Sequence, residues 1–314
     1  MGMAGGTRVA LATDPRERFA GHVALVFVQV GFGLFPVFAK LAFEPGAFTP
    51  RSLTAWRFLF GAGALLALAF AVHGRAALPR RGELPRLVIC SLLGVTINMA
   101  LYLEGLSRST ATNAGLMMCL IPVFTFAVAA AVGQERFRVG RLAGVLTALA
   151  GASLLFWYER PELARAHGLG NALMAVNTLS YALYLVLSRP LLARLPPLVL
   201  VAWVFALAAP FAPLLLRGET LVPEASPRAW WALVYILAVA TCLAYVLNAF
   251  ALARLRASTT AIYVYLQPLI TGLLGWLWLG ERVTGAMGLA AVLVFAGIWL
   301  VSRPPAPAPE PMEA

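Results

Sequence analysis

Amide and phenol side chains recur at one-turn spacing inside otherwise apolar stretches of this chain. Asn98 and Tyr102 share a helical face, and so do Tyr263 and Gln267. Asn177, Tyr181 and Tyr184 form a stripe, as do Gln29, Phe32 and Pro36, and Asn248 adds a further amide. A neutral amide within hydrocarbon is costly unless it is paired or hydrated. These groups are therefore expected to face the interior of a helix bundle. There they would bind a solute by hydrogen bonds and stacking rather than break its bonds. Bond-making chemistry has no visible apparatus: the sequence holds no Ser/His/Asp set, no HxxxH-type metal pair, no Gly-rich phosphate loop and no carboxylate pair. Neither Cys90, Cys119 and Cys242 nor His22, His73 and His167 show metal-ligand spacing, so no metal or cofactor is expected.

The elements that must carry these residues follow from composition. Of 314 residues, 61% are hydrophobic and 12% charged, against about 25% charged in a soluble domain. The apolar surplus has to face lipid. The net charge of +11 sits in loops, where it speaks to topology and anionic head groups rather than to nucleic acid. At about 20 apolar residues per spanning helix, the chain offers ten spans: 20–42, 55–73, 86–106, 111–132, 139–157, 170–189, 197–216, 229–252, 257–279 and 284–302. The polar lead before Ala20 does not resemble a cleaved signal, and the Pro-rich tail after Ser302 is expected to be extended or disordered. With the N-terminus inside, 15 of the 24 basic residues lie on the inner side. That bias favours both termini in the cytoplasm and a place in the cytoplasmic (inner) membrane.

Part of this chain is written twice. Slid by 146 positions, Leu101–Leu154 falls on Leu247–Leu300, with Arg108 on Arg254, Pro122 on Pro268, Glu135-Arg136 on Glu281-Arg282 and Gly151 on Gly297. A duplicated set of five spans, an odd number, must insert its two copies in opposite orientations. The expected fold class is an all-α integral membrane protein of ten transmembrane helices, arranged as two inverted five-helix repeats. The expected layout is an N-terminal cytoplasmic tail (1–19), a first repeat (20–157), a linker (158–169), a second repeat (170–302) and a C-terminal tail (303–314).

The passage from Ala111-Thr112-Asn113-Ala114 through Ile121-Pro122-Val123-Phe124 to Gly133-Gln134-Glu135-Arg136, then Gly144 and Gly151, resembles the repeat of the EamA family, within the drug/metabolite transporter superfamily. The second copy runs from Ala257-Ser258-Thr259-Thr260 through Gln267-Pro268 to Leu279-Gly280-Glu281-Arg282 and Gly297. Trp56-Arg57-Phe58 also resembles the family's pattern. The resemblance spans roughly residues 20 to 302. It implies a ten-helix carrier that moves small metabolites, often outward and without ATP, with aromatic amino-acid exporters among its members. The first copy departs from the second in reading Gly-Gln-Glu-Arg for Leu-Gly-Glu-Arg.

Where the copies differ is informative, because a small solute is rarely symmetric. Tyr263 and Gln267 have the apolar mates Met117 and Ile121, Asn248 has Tyr102, and Asn98 has Ala244. The substrate pathway is accordingly assigned to Gln29, Phe32, Asn98, Tyr102, Met117, Asn177, Tyr181, Tyr184, Asn248, Tyr263 and Gln267. Pro122 and Pro268 are read as mid-helix kinks or hinges. Glu135, Arg136, Glu281 and Arg282 are read as a shared structural motif that caps helices at the interface. Lys40 and Arg57 lie near segment ends and read as snorkelling cations; Lys40–Glu44 and Glu104–Arg108 read as surface ion pairs. The expected chamber is thus nearly free of fixed charge and suited to neutral, zwitterionic or aromatic metabolites such as amino acids. The expected function is a secondary transporter, an exporter or exchanger working by alternating access, and not an enzyme. A non-transporting membrane scaffold or receptor and an integral membrane enzyme are the alternatives. The expected partners are a small-molecule substrate and the lipid bilayer, with no nucleic acid; proton coupling, substrate counter-exchange and oligomeric state stay open.

Overall fold

Three long helices begin the same way: a short polar side chain caps the first turn and proline follows it. Asp14 accepts a hydrogen bond from the Arg16 amide (2.8 Å) ahead of α1 (Pro15–Ala42). Thr49 and Ser52 form a reciprocal capping box ahead of α2 (Pro50–His73). Further along, Ser226 accepts from the Ala229 amide at the start of Pro227–Tyr235. Proline has no amide proton to leave unpaired in a first turn, and its fixed φ suits the helix.

The computed structural model describes residues 14–109, 111–135, 138–159, 168–267, 269–270 and 285–302. After α1 and α2 come α3 (Leu84–Ser91), α4 (Ile97–Ser107), α5 (Ala111–Met118), α6 (Ile121–Ala131), α7 (Val139–Glu159), α8 (Gly168–Leu192), α9 (Pro197–Ala208), α10 (Pro227–Tyr235), α11 (Ala244–Arg254), α12 (Ala257–Ile262) and α13 (Gly285–Ser302). The described residues contain helices and turns and no strand. Six continuous helical stretches among them are long and apolar enough to cross a membrane: Pro15–Ala42, Pro50–Ala77, Arg81–Ser107, Gly168–Leu192, Pro197–Leu215 and Pro227–Arg254. Shorter apolar helices cover Ile121–Ala131, Val139–Gly151 and Gly288–Val301. The expected span 111–132 is not one helix but two, α5 and α6, and the later part of the expected span 257–279, residues 271–279, lies outside the described residues. Phe27, Trp231 and Val292 stand well exposed on the outer surface, as lipid-facing side chains would.

Among the described residues, several elements of the two halves correspond. At the 146-residue step α4 falls on α11, α7 on α13, and α2 on the stretch that begins α9. Wide π turns interrupt the helices at Leu92–Thr96 and Ile236–Leu243, and the first maps inside the second. Corresponding elements also pack reciprocally: α2 lies against α9, and the α4–α8 contact is matched by the α11–α1 contact. In the α7–α13 pair, Gly144 faces Gly297, Leu300 and Val301, whereas Gly151 faces Ala290, Leu293 and Val294. Numbers fall along α13 as they rise along α7, so these two related helices run antiparallel. The approach is close: a Cβ on Gly297 would come within 2.5 Å of the Gly144 carbonyl oxygen. Close backbone contact through small residues is the usual glue between helices that gain nothing from hydrophobic burial in lipid.

Candidate functional site

A cavity opens at the centre of this arrangement, enclosing about 660 Å³ of empty space with its mouth included. Both halves build it. From the first come Gln29, Phe32 and Phe35 of α1, Arg57 of α2, Asn98 and Tyr102 of α4, and Met118 and Ile121 at the α5–α6 break. From the second come Asn177, Tyr181 and Leu185 of α8, Tyr245 and Asn248 of α11, and Thr260, Ala261, Val264 and Gln267.

The amides are held by one another and by the π turns. Asn177 Nδ2 donates to the Asn98 carbonyl (2.7 Å), leaving its own Oδ1 buried without a partner. The Tyr245 hydroxyl donates to the carbonyl of Gly94 in the first π turn (3.1 Å). Asn248 Nδ2 donates to the Tyr181 oxygen (3.0 Å), and Gln267 Nε2 to Gln29 Oε1 (2.8 Å), the latter pair joining the two halves. In the same lining, Thr260 Oγ1 is buried without a partner. Phe35 stacks on Tyr102 with ring centroids 5.4 Å apart, giving the chamber an aromatic wall.

Arg57 overturns the expectation of an uncharged chamber. It does not snorkel: its residue is only 2% exposed and it lines the cavity. The reason is depth. The helix starts at Pro50, so Arg57 sits two turns inside it, against the second π turn and α4. Nε donates to Thr241 Oγ1 (2.9 Å), Nη2 makes a long contact with the Ala240 carbonyl (3.5 Å), and the guanidinium carbon lies 4.6 Å from the centre of the Phe35 ring. No carboxylate among the described residues pairs with it.

Eight of the eleven expected pathway residues meet in this cavity: Gln29, Phe32, Asn98, Tyr102, Asn177, Tyr181, Asn248 and Gln267. Three do not. Tyr184 is buried in the core beside Gly94. Met117 packs in a neighbouring apolar cluster, and its successor Met118 lines the chamber instead. Tyr263 turns aside to His22, whose Nδ1 lies 2.7 Å from its hydroxyl. Pro122 occupies the first turn of α6, at a break between helices rather than at a kink within one. Glu135 is buried: it accepts from the Ser258 hydroxyl (2.6 Å) and amide (3.1 Å) and pairs with Arg141 (3.1 Å), so it caps a helix of the opposite half. Pro268, Arg136, Glu281 and Arg282 lie outside the described residues. Of the expected ion pairs, Glu104–Arg108 is present. Lys40 instead donates to the carbonyls of Leu106 and Ser109 (both 2.7 Å), while Glu44 accepts from the Ser226 amide. Besides Arg57, which the sequence places at a segment end, Phe35, Tyr245 and Thr260 line the chamber without being expected there. Tyr245 precedes Asn248 by one turn and is reached by the same spacing rule; Arg57 has the uncharged Trp203 as its mate, an asymmetry that singles it out against the snorkelling reading.

A two-halved helical shell around one polar chamber can be compared with known proteins. The sequence profile of the EamA-like transporter family matches twice, over residues 19–157 and 168–303. The chain belongs to the EamA-like transporter family. With it comes membership of the drug/metabolite transporter superfamily, and the protein is an integral membrane protein. An uncharacterised transporter of Archaeoglobus fulgidus is 29% identical over 90% of this chain and 96% of its own length. A probable terminal-alkyne amino-acid exporter of Streptantibioticus cattleyicolor is 26% identical over 69% of this chain and 74% of its own. A solved crystal structure at 22% identity superposes with a TM-score of 0.74, covering 92% of this chain and 97% of that one, and shows the same fold. Membership of a membrane transporter family implies a small-molecule substrate and the lipid bilayer as partners.

Proposed function

We propose that this EamA-like transporter is a secondary carrier of small zwitterionic or aromatic metabolites such as amino acids, exporting or exchanging them by alternating access. One observation carries the reading: a chamber is walled by both halves and lined by amides, phenols and rings. Binding between two related bundles lets them rock around a fixed site. The antiparallel, reciprocal contact of α7 with α13 supports an inverted relation between two five-helix repeats; the bias of basic residues supports an inner-membrane protein whose termini are both cytoplasmic. Polar contacts between the halves lie on either side of the chamber. Glu135–Ser258 and His22–Tyr263 hold the side where α1 begins; Thr49–Glu219, Glu44–Ser226 and Ser109–Asn171 hold the side where it ends. Opening one mouth would release one set and keep the other. The amino-acid exporter named among the relatives supports the substrate class.

Counterflow in proteoliposomes tests this. Unlabelled amino acid inside should drive uptake of labelled amino acid from outside against its gradient. No exchange across a panel of amino acids, amines and nucleosides would sink the proposal.

A further inference from the structure

Among the described residues, Arg57 is the one fixed charge in the chamber lining. An ionised side chain deep in a membrane protein is expensive and marks a substrate or ion path. Buried charges are normally paired, yet here a guanidinium with five donors makes one good hydrogen bond, one long contact and a ring contact. Those contacts use one edge of the fork. Thr241 anchors Nε from the second π turn, so the planar group is held rigid, while Nη1 has no partner among the described residues. A rigid guanidinium with a free donor edge matches the geometry of a carboxylate, which it can grip by two parallel hydrogen bonds. The rest of the lining adds the opposite polarity: Asn177 Oδ1, in a residue 2% exposed, and Thr260 Oγ1, in a residue likewise 2% exposed, are oxygen atoms left without a donor. Both line the same cavity as Arg57.

We propose that Arg57 receives the carboxylate of the transported solute and that Asn177 accepts from its ammonium group, which makes the substrate class free α-amino acids rather than amines, amides or nucleosides. This rests on the carrier reading above and narrows it. The asymmetry fits. The mate of Arg57 in the second half is Trp203, which donates to the Ala77 carbonyl away from the chamber, so one end of the solute meets a charge that the other half does not repeat. Phe35, lying against both Arg57 and Tyr102, gives an apolar side chain a ring surface next to the carboxylate anchor.

Thermal-shift and equilibrium-binding measurements on the detergent-solubilised full chain test it, with the twenty L-α-amino acids, the carboxamide of each that binds, and its des-amino acid. At least one amino acid should stabilise the wild type, and its carboxamide should bind far more weakly. Arg57→Gln should weaken the acid by about 100-fold, the scale of losing one partner of a buried charged pair, and the carboxamide by much less. Arg57→Lys should fall between, keeping the charge and losing the fork. Asn177→Ala should weaken the amino acid and leave the des-amino acid alone. Should Arg57→Gln fail to fold, Arg57→Lys and the acid-to-amide ratio of the wild type decide. Equal binding of acid and carboxamide, an unaltered affinity in the Arg57 variants, or no binding by any of the twenty acids would overturn the proposal. Arg57-dependent binding without counterflow would leave the anchor standing and remove the carrier; counterflow of carboxamides equal to that of acids would do the reverse.

Discussion

Glu135 and Arg57 are buried to nearly the same degree, 6% and 2% exposed, and the protein treats them in opposite ways. Glu135 is surrounded. Arg141 pairs with it, Ser258 donates to it twice, and Arg189 and Arg256 contribute their fields. Arg57 has a hydroxyl, a distant carbonyl and a ring. Desolvation of a charge is offset only by excellent pairing. The first arrangement therefore reads as a finished structural joint between the halves, and the second as an unfinished one that the solute completes. The difference also divides the labour of the duplicated fold. The Glu135 joint lies at the ends of its helices, after α6 and at the start of α12, whereas the uncompensated group lies in the chamber.

The largest stability effect expected from this contrast is at Glu135. Glu135→Ala would leave Arg141, itself 5% exposed, without its carboxylate. Removing one partner of a buried pair costs about 3–5 kcal/mol. A pronounced fall in melting temperature in detergent is expected, and a variant as stable as wild type would show that water or another group already serves Arg141. An intermediate effect is expected at Ser258→Ala. It removes the hydroxyl donor and keeps the amide donor, so about 1.5–3 kcal/mol, the range for a hydrogen bond to a charged group, is at stake. If Ser258 is also part of the latch between halves, transport in Ser258→Ala should shift its balance between inward and outward flux, which cysteine labelling at the chamber from either side would register.

Much of this architecture could be read from the residues, and the failures have a common cause. The doubled landmarks, the apolar runs and the amide stripes located the halves and eight chamber residues, because a helix of 3.6 residues per turn fixes which side chains share a face. Where the helix changes period, the rule fails. Tyr263 and Gln267 were placed on one face, but Tyr263–Tyr265 is a 3-10 turn that rotates the chain between them. Met117 enters only as the mate of Tyr263 at the 146-residue step, and the chamber is lined instead by its successor Met118, where α5 ends. Neither π turn could be anticipated, since register in a helix is decided by packing; at Gly94 the Tyr184 ring lies closer than any Cβ would allow. Arg57 was misjudged for another reason. Its distance from the start of its apolar run was taken as depth in the membrane, when the capped helix begins earlier, at Pro50.

The smallest expected stability effect is the one that sharpens the comparison most. Arg57→Gln deletes a buried charge that has no counter-charge among the described residues, keeps a hydrogen-bonding head of smaller reach, and leaves none of their carboxylates stranded. Functional groups held in unfavourable settings often lower stability, and neutralising them restores it. The ligand-free melting temperature of Arg57→Gln should therefore equal or exceed that of wild type, within about 1 kcal/mol of stability change either way. At the same time the stabilisation that wild type gains from its amino acid should vanish. A ligand-free loss comparable to that of Glu135→Ala would place Arg57 among the structural joints. The contrast between the two charges would then collapse, because the contacts with Thr241, Ala240 and Phe35 would already be sufficient compensation for burying the guanidinium.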